Sequence, residues 1–279
     1  MNYKMIVLDL DGTLLDDEKQ ISEKTIKALG ELHTRDVEIV IATGRNYYMA
    51  KTLTEKIKIV QPVILANNGS VIRKSENDEV IESNYLDPKE FEIIYNEGLK
   101  LNLNPVVHVD EYFNGYDIVY ERENYEEAYL GYIKNDNSRA RHMKFIPSDM
   151  DKILSVCYFD EYNKLCSFGN EMKNKGMGRF NTICNRNISK RALLEFLHPY
   201  GCKWNAIKRY AAVKNISIDE IIAIGDDNND IELLKNSGLG IAMKNGTMES
   251  IAAAKRTTDY DNNNSGVYYA LDEIFKLSK

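Results

Sequence analysis

The sequence lacks any hydrophobic run long enough to cross a membrane, and it is poor in the residues that mark specialised protein classes. Of its 279 residues, 5 are proline and 1 is tryptophan, and the composition excludes collagen-like, fibrous and disordered chains. The first apolar run, at 5–8, is cut off by Asp9, far short of the ~18 residues of a membrane helix. We therefore expect neither membrane anchoring nor secretion.

Cysteine and positive charge are also limited. The 4 cysteines lack the CxxC spacing of zinc sites and redox pairs, which favours unbridged thiols in a cytoplasmic protein. The 36 Lys and Arg residues are outnumbered by 43 Asp and Glu, giving a net charge of −7, and no basic stripe stands out. Nucleic acid is therefore not an expected partner.

What the chain does contain is a series of short apolar segments that end abruptly at polar residues. These segments lie at 5–8, 39–42, 63–66, 221–224 and 239–243. Continuous apolarity predicts strands buried on both faces, as in a parallel sheet covered by helices. Helical patterns separate the segments, at 23–32, 47–57, 206–213, 230–234 and 266–277. The fold class is therefore predicted to be α/β, with ligands binding at the carboxyl edge of the sheet.

The middle of the chain follows a different pattern. Between 84 and 187, alternating strand-like pieces (105–109, 117–120, 155–159, 180–184) are interleaved with helix-like pieces (88–99, 125–134, 149–154, 162–173). This stretch is rich in tyrosine, and we predict that it forms a separate α+β insert. The predicted boundaries are 1–83 and 188–279 for the core and 84–187 for the insert.

Acidic residues follow the first and fourth predicted strands. Asp9 and Asp11 end the first strand, and Gly12 permits the sharp turn that comes next. Asp226 and Asp230 follow the fourth strand, at the same edge of the sheet. Converging carboxylates repel one another unless a cation binds between them, and oxygen ligands favour Mg²⁺. The spacing therefore predicts a magnesium site.

A further motif, Thr43-Gly44-Arg45, follows the second strand. A hydroxyl and unpaired backbone N–H groups at the start of a helix can bind an anion. A threonine in this position is equally compatible with a purely structural N-cap. The motif by itself leaves both interpretations open.

In their order along the chain, these motifs resemble those of the haloacid dehalogenase superfamily of phosphohydrolases, in its Cof-type branch. The stretch 67–70, Asn-Asn-Gly-Ser, is similar to the Asn-Gly stretch of that branch, and Gly266-Val267 is similar to its last Gly-Val turn. The resemblance covers essentially the whole chain. It implies a Rossmann-like core with an inserted cap of type C2b that governs substrate specificity.

The resemblance also implies the reaction, which is the Mg²⁺-dependent hydrolysis of a phosphate monoester of a small metabolite. Sugar phosphates are the leading substrate class, followed by a phosphorylated cofactor or its precursor. Asp9 would be the nucleophile that forms an aspartyl-phosphate, and Asp11 would be the acid and base. The metal ligands would be Asp9, the backbone carbonyl of Asp11, and Asp226.

The remaining site residues are likewise implied by the resemblance. Asp230 would orient the motif lysine or a water molecule on the metal, and Asn68 is a candidate substrate contact. The phosphate oxygens would be bound by Thr43, Gly44, Lys203 and Asn229.

The lysine motif departs from the family pattern. Lys203 is followed by Trp204 and Asn205, whereas the family has a glycine directly after the lysine. Lys190 is the alternative, but Lys203 opens the helix that leads into the strand at 221–224, and we therefore assign it to the motif. We expect Trp204 to pack beneath that helix.

Two other functions are compatible with this fold. A phosphotransferase of the phosphomannomutase kind would need basic side chains for a second phosphate, and Arg139, Arg141 and Lys144 are available in the insert. A non-catalytic ligand sensor is disfavoured because all the catalytic side chains are present. We expect a monomer or a weak homo-oligomer.

Overall fold

The computed structural model of the protein describes residues 3–122, 139–188 and 191–277. The chain divides into two compact units, one formed by Met1–Glu82 with Cys202–Lys279 and the other by Ser83–Gly201. The predicted helix at 125–134 and the alternative lysine, Lys190, lie outside the described residues.

The secondary structure elements are numbered along the chain. The strands are β1 Met5–Leu8, β2 Glu38–Ala42, β3 Val63–Ala66, β4 Val71–Lys74, β5 Val80–Ser83, β6 Val106–Val109, β7 Ile118–Tyr120, β8 Ala140–His142, β9 Ile153–Asp160, β10 Asn181–Ile188, β11 Arg191–Leu197, β12 Ile221–Gly225, β13 Leu239–Ala242 and β14 Arg256–Thr257. The α-helices are α1 Glu23–Thr34, α2 Tyr47–Leu53, α3 Pro88–Lys100, α4 Tyr162–Gly176, α5 Lys203–Val213, α6 Ile231–Asn236, α7 Met248–Ala253 and α8 Gly266–Phe275. None of these helices has both the length and the apolarity that a membrane span requires.

The first unit is built on an eight-stranded sheet with the order β14-β13-β12-β1-β2-β3-β4-β5. Neighbouring strands from β14 to β3 run parallel, as predicted for the five apolar segments. Strand β4 is antiparallel to β3, so the sheet is mixed. Strands β4 and β5 were not predicted because each has only a Val-Ile pair before a charged residue, and β14 was not predicted because its two residues are polar.

Buried strands and helix faces form the core of this unit. Strands β1 and β12 are buried along their whole length, as their continuous apolarity predicts. Helix α1 begins after Ser22, whose hydroxyl accepts a hydrogen bond from the Thr25 N–H, and it turns Leu29 inward. Helices α5 and α6 contribute Ile207 and Leu233 to the same core cluster as alternate residues of the parallel strands. Because these strands run parallel, their carboxyl ends lie along one edge of the sheet.

The second unit contains a six-stranded sheet with the order β10-β11-β9-β6-β7-β8. Its described strand pairs are antiparallel except β7 with β8. Helices α3 and α4 share a buried core with this sheet, to which they contribute Phe91, Ile94 and Phe168. This arrangement agrees with the α+β character predicted for the insert.

Two details of the predicted insert are wrong. The segment 149–154 was expected to be helical, but Ile153 and Leu154 belong to β9, which pairs with both β6 and β11. The compact unit also extends to Gly201 instead of 187, because β11 pairs with β9 and β10. The second part of the core therefore begins at Cys202 rather than at 188.

Candidate active site

A buried lysine joins two carboxylates at the carboxyl edge of the first sheet. Asp9 directly follows β1, and Lys203 is the first residue of α5, after the N-cap Cys202. The Nζ atom of Lys203 donates hydrogen bonds to Asp9 Oδ1 at 2.6 Å and to Asp230 Oδ1 at 2.7 Å. Burial alone lowers the pKa of Lys203, but the charges of Asp230 and Asp9 outweigh it and raise the pKa. The lysine is therefore charged although it is fully buried.

Asp230 is held in place by the loop that follows β12. Its Oδ2 atom accepts hydrogen bonds from the backbone N–H groups of Asp226 at 3.1 Å and Asp227 at 3.2 Å. A Cβ atom at Gly225 would lie 2.5 Å from the carboxyl carbon of Asp230, so this position requires glycine. Asp230 thus presents its other oxygen to Lys203.

Asp226 packs against the loop that follows Asp9. The hydroxyl of Thr13 donates a hydrogen bond to Asp226 Oδ1 at 2.7 Å. Gly12 has a φ of 76°, and a Cβ atom there would lie 2.4 Å from Asp226 Oδ2. Glycine at position 12 therefore allows both the left-handed turn and the close approach of the carboxylate.

Asp9, Asp226 and Asp230 form an acidic cluster in which one carboxylate oxygen from each lies within 4.8 Å of the others. Burial, assisted by the neighbouring carboxylates, raises the pKa of Asp9 well above its usual range and that of Asp226 to about 7. One lysine does not balance three carboxylates, and a hard divalent cation with oxygen ligands fits this donor set. The side chain of Asp11 is not part of the cluster. The metal-ligand role implied for Asp11 uses its backbone carbonyl.

The Asp11 side chain instead lies between two cations. Arg45 donates from Nε and Nη2 to its two oxygens at 2.6 and 2.7 Å, and Lys19 Nζ contacts Oδ1 at 2.8 Å. Partial burial raises the pKa of Asp11, but the hydrogen bonds and charges of Arg45 and Lys19 outweigh it and lower the pKa to about 2. Asp11 is therefore ionised in this conformation.

The predicted phosphate and substrate residues form a second group at the same edge. Thr43 is buried, and its hydroxyl accepts a hydrogen bond from the Arg45 N–H at 3.1 Å. The side-chain amide of Asn229 donates to Asn68 Oδ1 at 2.9 Å, and the Asn68 N–H donates to the Thr43 carbonyl at 2.9 Å. A Cβ atom at Gly44 would contact the Asn68 amide at 3.4 Å. The loops after β2, β3 and β12 therefore meet through Asn68.

Several contacts in the site were not predicted from the sequence. Arg45 was noted only as part of its motif, although its position directly after Thr43-Gly44 was a usable signal. Thr13 ends the motif that begins at Asp9, but that motif did not indicate its contact with Asp226. Lys19 carried no signal, because nothing in its spacing points to Asp11. Trp204 packs against the core cluster of the first unit, as expected.

Asparagines anchor the loop that carries Gly12 and Thr13. The Asn245 amide donates to the Gly12 carbonyl at 2.8 Å, and the Asn262 amide donates to the Leu15 carbonyl at 3.0 Å. Asn263 and Asp17 exchange two hydrogen bonds, at 3.0 and 3.1 Å. The Asn262–Asn264 turn therefore ties the C-terminal part of the core to the loop after β1.

The fold and the site together define a Rossmann-like hydrolase with an acidic centre. Residues 6–271 match the haloacid dehalogenase-like hydrolase family, and the chain belongs to that family. It is 26% identical over 261 residues to YcsE, the 5-amino-6-(5-phospho-D-ribitylamino)uracil phosphatase of Bacillus subtilis strain 168, with 93% of this chain and 90% of the relative covered. The HMP-PP phosphatase of Enterobacter sp. strain 638 is 25% identical over 250 residues, with 89% of this chain and 87% of the relative covered. The chain is thus a phosphatase of this family, in its Cof-type branch, as the motifs predicted.

A solved structure supports the fold assignment. A haloacid dehalogenase-like hydrolase from Bacteroides thetaiotaomicron superimposes with a TM-score of 0.82 at 24% identity, covering 98% of this chain and 100% of the other. At this level of identity the match confirms the fold alone.

The raised pKa of Asp226 predicts how the stability of the metal-free protein depends on pH. The folded protein keeps a proton on Asp226 up to about pH 7, whereas the unfolded chain releases it near the ordinary value of about 3.9. The folded state binds more protons between these values, so the contribution of Asp226 to the free energy of unfolding decreases as pH rises through this window.

Urea unfolding in EDTA at pH 5 and pH 7.5 would measure this effect. We expect the free energy of unfolding to differ less between the two pH values in Asp226→Asn than in the wild type, because the amide has no proton to release. Added Mg²⁺ should restore stability at pH 7.5 in the wild type only. An identical pH dependence in both proteins would contradict the assignment.

Proposed function

We propose that the protein hydrolyses a phosphate monoester of a small metabolite in a Mg²⁺-dependent reaction, with an aspartyl-phosphate formed on Asp9. The observation that carries the proposal is the contact of buried Asp9 with the charged Lys203, beside Asp226 and Asp230. A buried carboxylate with a cation on one oxygen is held in a fixed orientation, and positioning of this kind favours its attack on phosphorus.

Mg²⁺ would be held by the carboxylates of Asp9 and Asp226 and the backbone carbonyl of Asp11, and when bound it would neutralise charge on the transferring phosphoryl group. The chain supplies the other contributions. Burial raises the pKa of Asp9, and the charge and hydrogen bond of Lys203 oppose this effect by favouring the ionised carboxylate. Its ammonium group also adds positive charge beside the phosphoryl oxygens.

In the first step an Asp9 oxygen bonds to phosphorus as the bond to the ester oxygen breaks. Asp11 gives its proton to the departing oxygen, so the alcohol leaves as a neutral molecule. Because Arg45 and Lys19 hold Asp11 ionised, it must first take up a proton as these contacts loosen.

In the second step Asp11, again ionised, takes a proton from water. The water oxygen bonds to phosphorus and the bond to Asp9 breaks, which releases inorganic phosphate. Thr43, the Gly44 N–H and Asn229 would hold phosphoryl oxygens, and Asn68 would contact the rest of the substrate. Asn229 donates a hydrogen bond to Asn68, which supports placing the substrate contact of Asn68 directly beside the phosphoryl contact of Asn229.

The second unit would act as the cap that selects the substrate. We favour a sugar phosphate, followed by a phosphorylated cofactor or its precursor. The relative YcsE is named for a substrate whose phosphate is carried on a ribityl chain, which supports both classes. The alternative of a phosphomannomutase-like transferase is weakened at Arg139, whose guanidinium pairs with buried Asp117 and donates to the Tyr112 carbonyl at 2.7 Å.

A phosphate-release screen with Mg²⁺ over sugar phosphates, nucleotides and cofactor phosphates tests the proposal. Release of phosphate from at least one sugar or cofactor phosphate would support it. Transfer of the phosphoryl group to a second hydroxyl without phosphate release would indicate a mutase, and binding without turnover would indicate a sensor.

We expect Asp9→Asn to abolish turnover, because an amide is a poor nucleophile, and to weaken Mg²⁺ binding while the protein still folds. Asp11→Asn should also lose most activity, since it has no proton to give. EDTA should silence the wild type and Mg²⁺ should restore it. Phosphate-release assays and circular dichroism check these outcomes, and substantial activity in Asp9→Asn would refute the mechanism.

Lys203→Ala should lose about 10²-fold or more in kcat, because it removes the charge that pairs with Asp9 and the phosphoryl group. Lys208→Ala is the matched control on the same helix, since its side chain is exposed. Lys190→Ala should also be nearly silent. A strong loss in Lys190→Ala with normal activity in Lys203→Ala would mean that the motif lysine was assigned incorrectly.

Changes in the second unit should alter specificity rather than chemistry. Arg141 lies with its guanidinium 5.0 Å from the centre of the Tyr116 ring and is exposed. We expect Arg141→Ala and Tyr116→Phe to change kcat/KM unequally among sugar phosphates and to leave p-nitrophenyl phosphate within about tenfold. Lys164→Ala, on the exposed side of α4, is the control. Parallel changes for all substrates would contradict this role of the insert.

A further inference from the structure

Two thiols of the second unit lie close enough to react with each other. Cys166 is on α4 and Cys184 is on β10, and their Sγ atoms are 3.3 Å apart without a bond between them. Both residues are partly exposed. Their separation of 18 positions along the chain gives no hint of this proximity.

Packing of α4 on the sheet holds the two thiols together. Leu165 and Phe168, on either side of Cys166, are buried in the core of the unit, and Cys184 packs against the same core. One turn further along α4, a Cβ atom at Gly169 would lie 3.0 Å from Leu194 Cδ1 on β11. The small glycine therefore lets the helix approach the sheet closely, which brings Cys166 within reach of β10.

The other two cysteines do not offer such a pair. Cys157 is fully buried in β9, and Cys202 is the N-cap of α5 in the first unit, where its sulfur accepts a hydrogen bond from the Asn205 N–H at 3.4 Å. The contact of Cys166 with Cys184 is thus specific to one helix and one strand.

We propose that Cys166 and Cys184 form an oxidation site that reacts with low-molecular-weight disulfides such as oxidised glutathione. One cysteine thiolate attacks the glutathione disulfide, whose sulfur–sulfur bond breaks and releases one glutathione thiolate. The second cysteine thiolate then attacks the mixed disulfide and displaces the other glutathione. The two thiol protons end on the two released glutathione molecules, the two cysteines are oxidised, and the glutathione disulfide is reduced.

The product would be a covalent bridge between α4 and β10. A bridge between positions 166 and 184 restricts the unfolded chain more than the folded one, so it stabilises the second unit. This inference concerns a site away from the acidic cluster and does not depend on the proposed reaction.

Oxidation of the full-length protein with oxidised glutathione tests the proposal directly. Thiol titration after denaturation should fall from four groups to two. Blocking with N-ethylmaleimide and non-reducing trypsin digestion should yield one cross-linked species, in which the peptide 165–173 is joined to the peptide 180–186. The midpoint of thermal unfolding should rise by about 5 °C and return after treatment with dithiothreitol.

Matched variants separate this site from general thiol reactivity. Cys166→Ser and Cys184→Ser should each abolish the cross-link, and Cys202→Ser should retain it. If Cys184→Ser fails to fold, Cys166→Ser together with the peptide map of the wild type still decides the question. Four remaining thiols, mixed glutathione adducts alone, or a disulfide that involves Cys157 or Cys202 would overturn the proposal.

Discussion

The site depends on one buried cation shared by two buried carboxylates. Lys203 has no exposed surface, and neither does Asp230, so each charge has lost its hydration and is stable only because the other is within hydrogen-bond distance. Asp9 completes the arrangement from the end of the central strand β1. Three separate parts of the chain must pack together for this contact to form. The folding of the core and the assembly of the site are therefore coupled.

Close packing around the carboxylates imposes a second constraint. Gly12 and Gly225 each occupy a position where a Cβ atom would overlap a carboxyl group, of Asp226 and Asp230 respectively. The backbone at each glycine is therefore packed against a carboxylate, which fills the space that a side chain would take. This geometry concentrates negative charge at the strand ends, and a divalent cation is the natural counterion for it.

Asp9 and Asp11 are two positions apart and have opposite electrostatic environments. Burial and neighbouring carboxylates raise the pKa of Asp9, whereas Arg45 and Lys19 lower that of Asp11. A nucleophile needs a fixed, desolvated carboxylate, and an acid–base group needs a carboxylate whose contacts can change during the reaction. Lys19 and Asp11 are both partly exposed, so their ion pair can open more readily than the buried pair at Asp9.

The sequence by itself determined five of the six parallel strands, the family and the motifs, because continuous apolar runs and strand-end polar residues are local patterns. The tertiary structure decided the boundary between the units and the contacts between residues that are distant in the sequence. It set the boundary at Gly201, since β11 joins the second sheet through pairing with β9 and β10. It also placed Lys19 on Asp11, Thr13 on Asp226 and Cys166 beside Cys184, because each of these contacts forms only when distant elements pack.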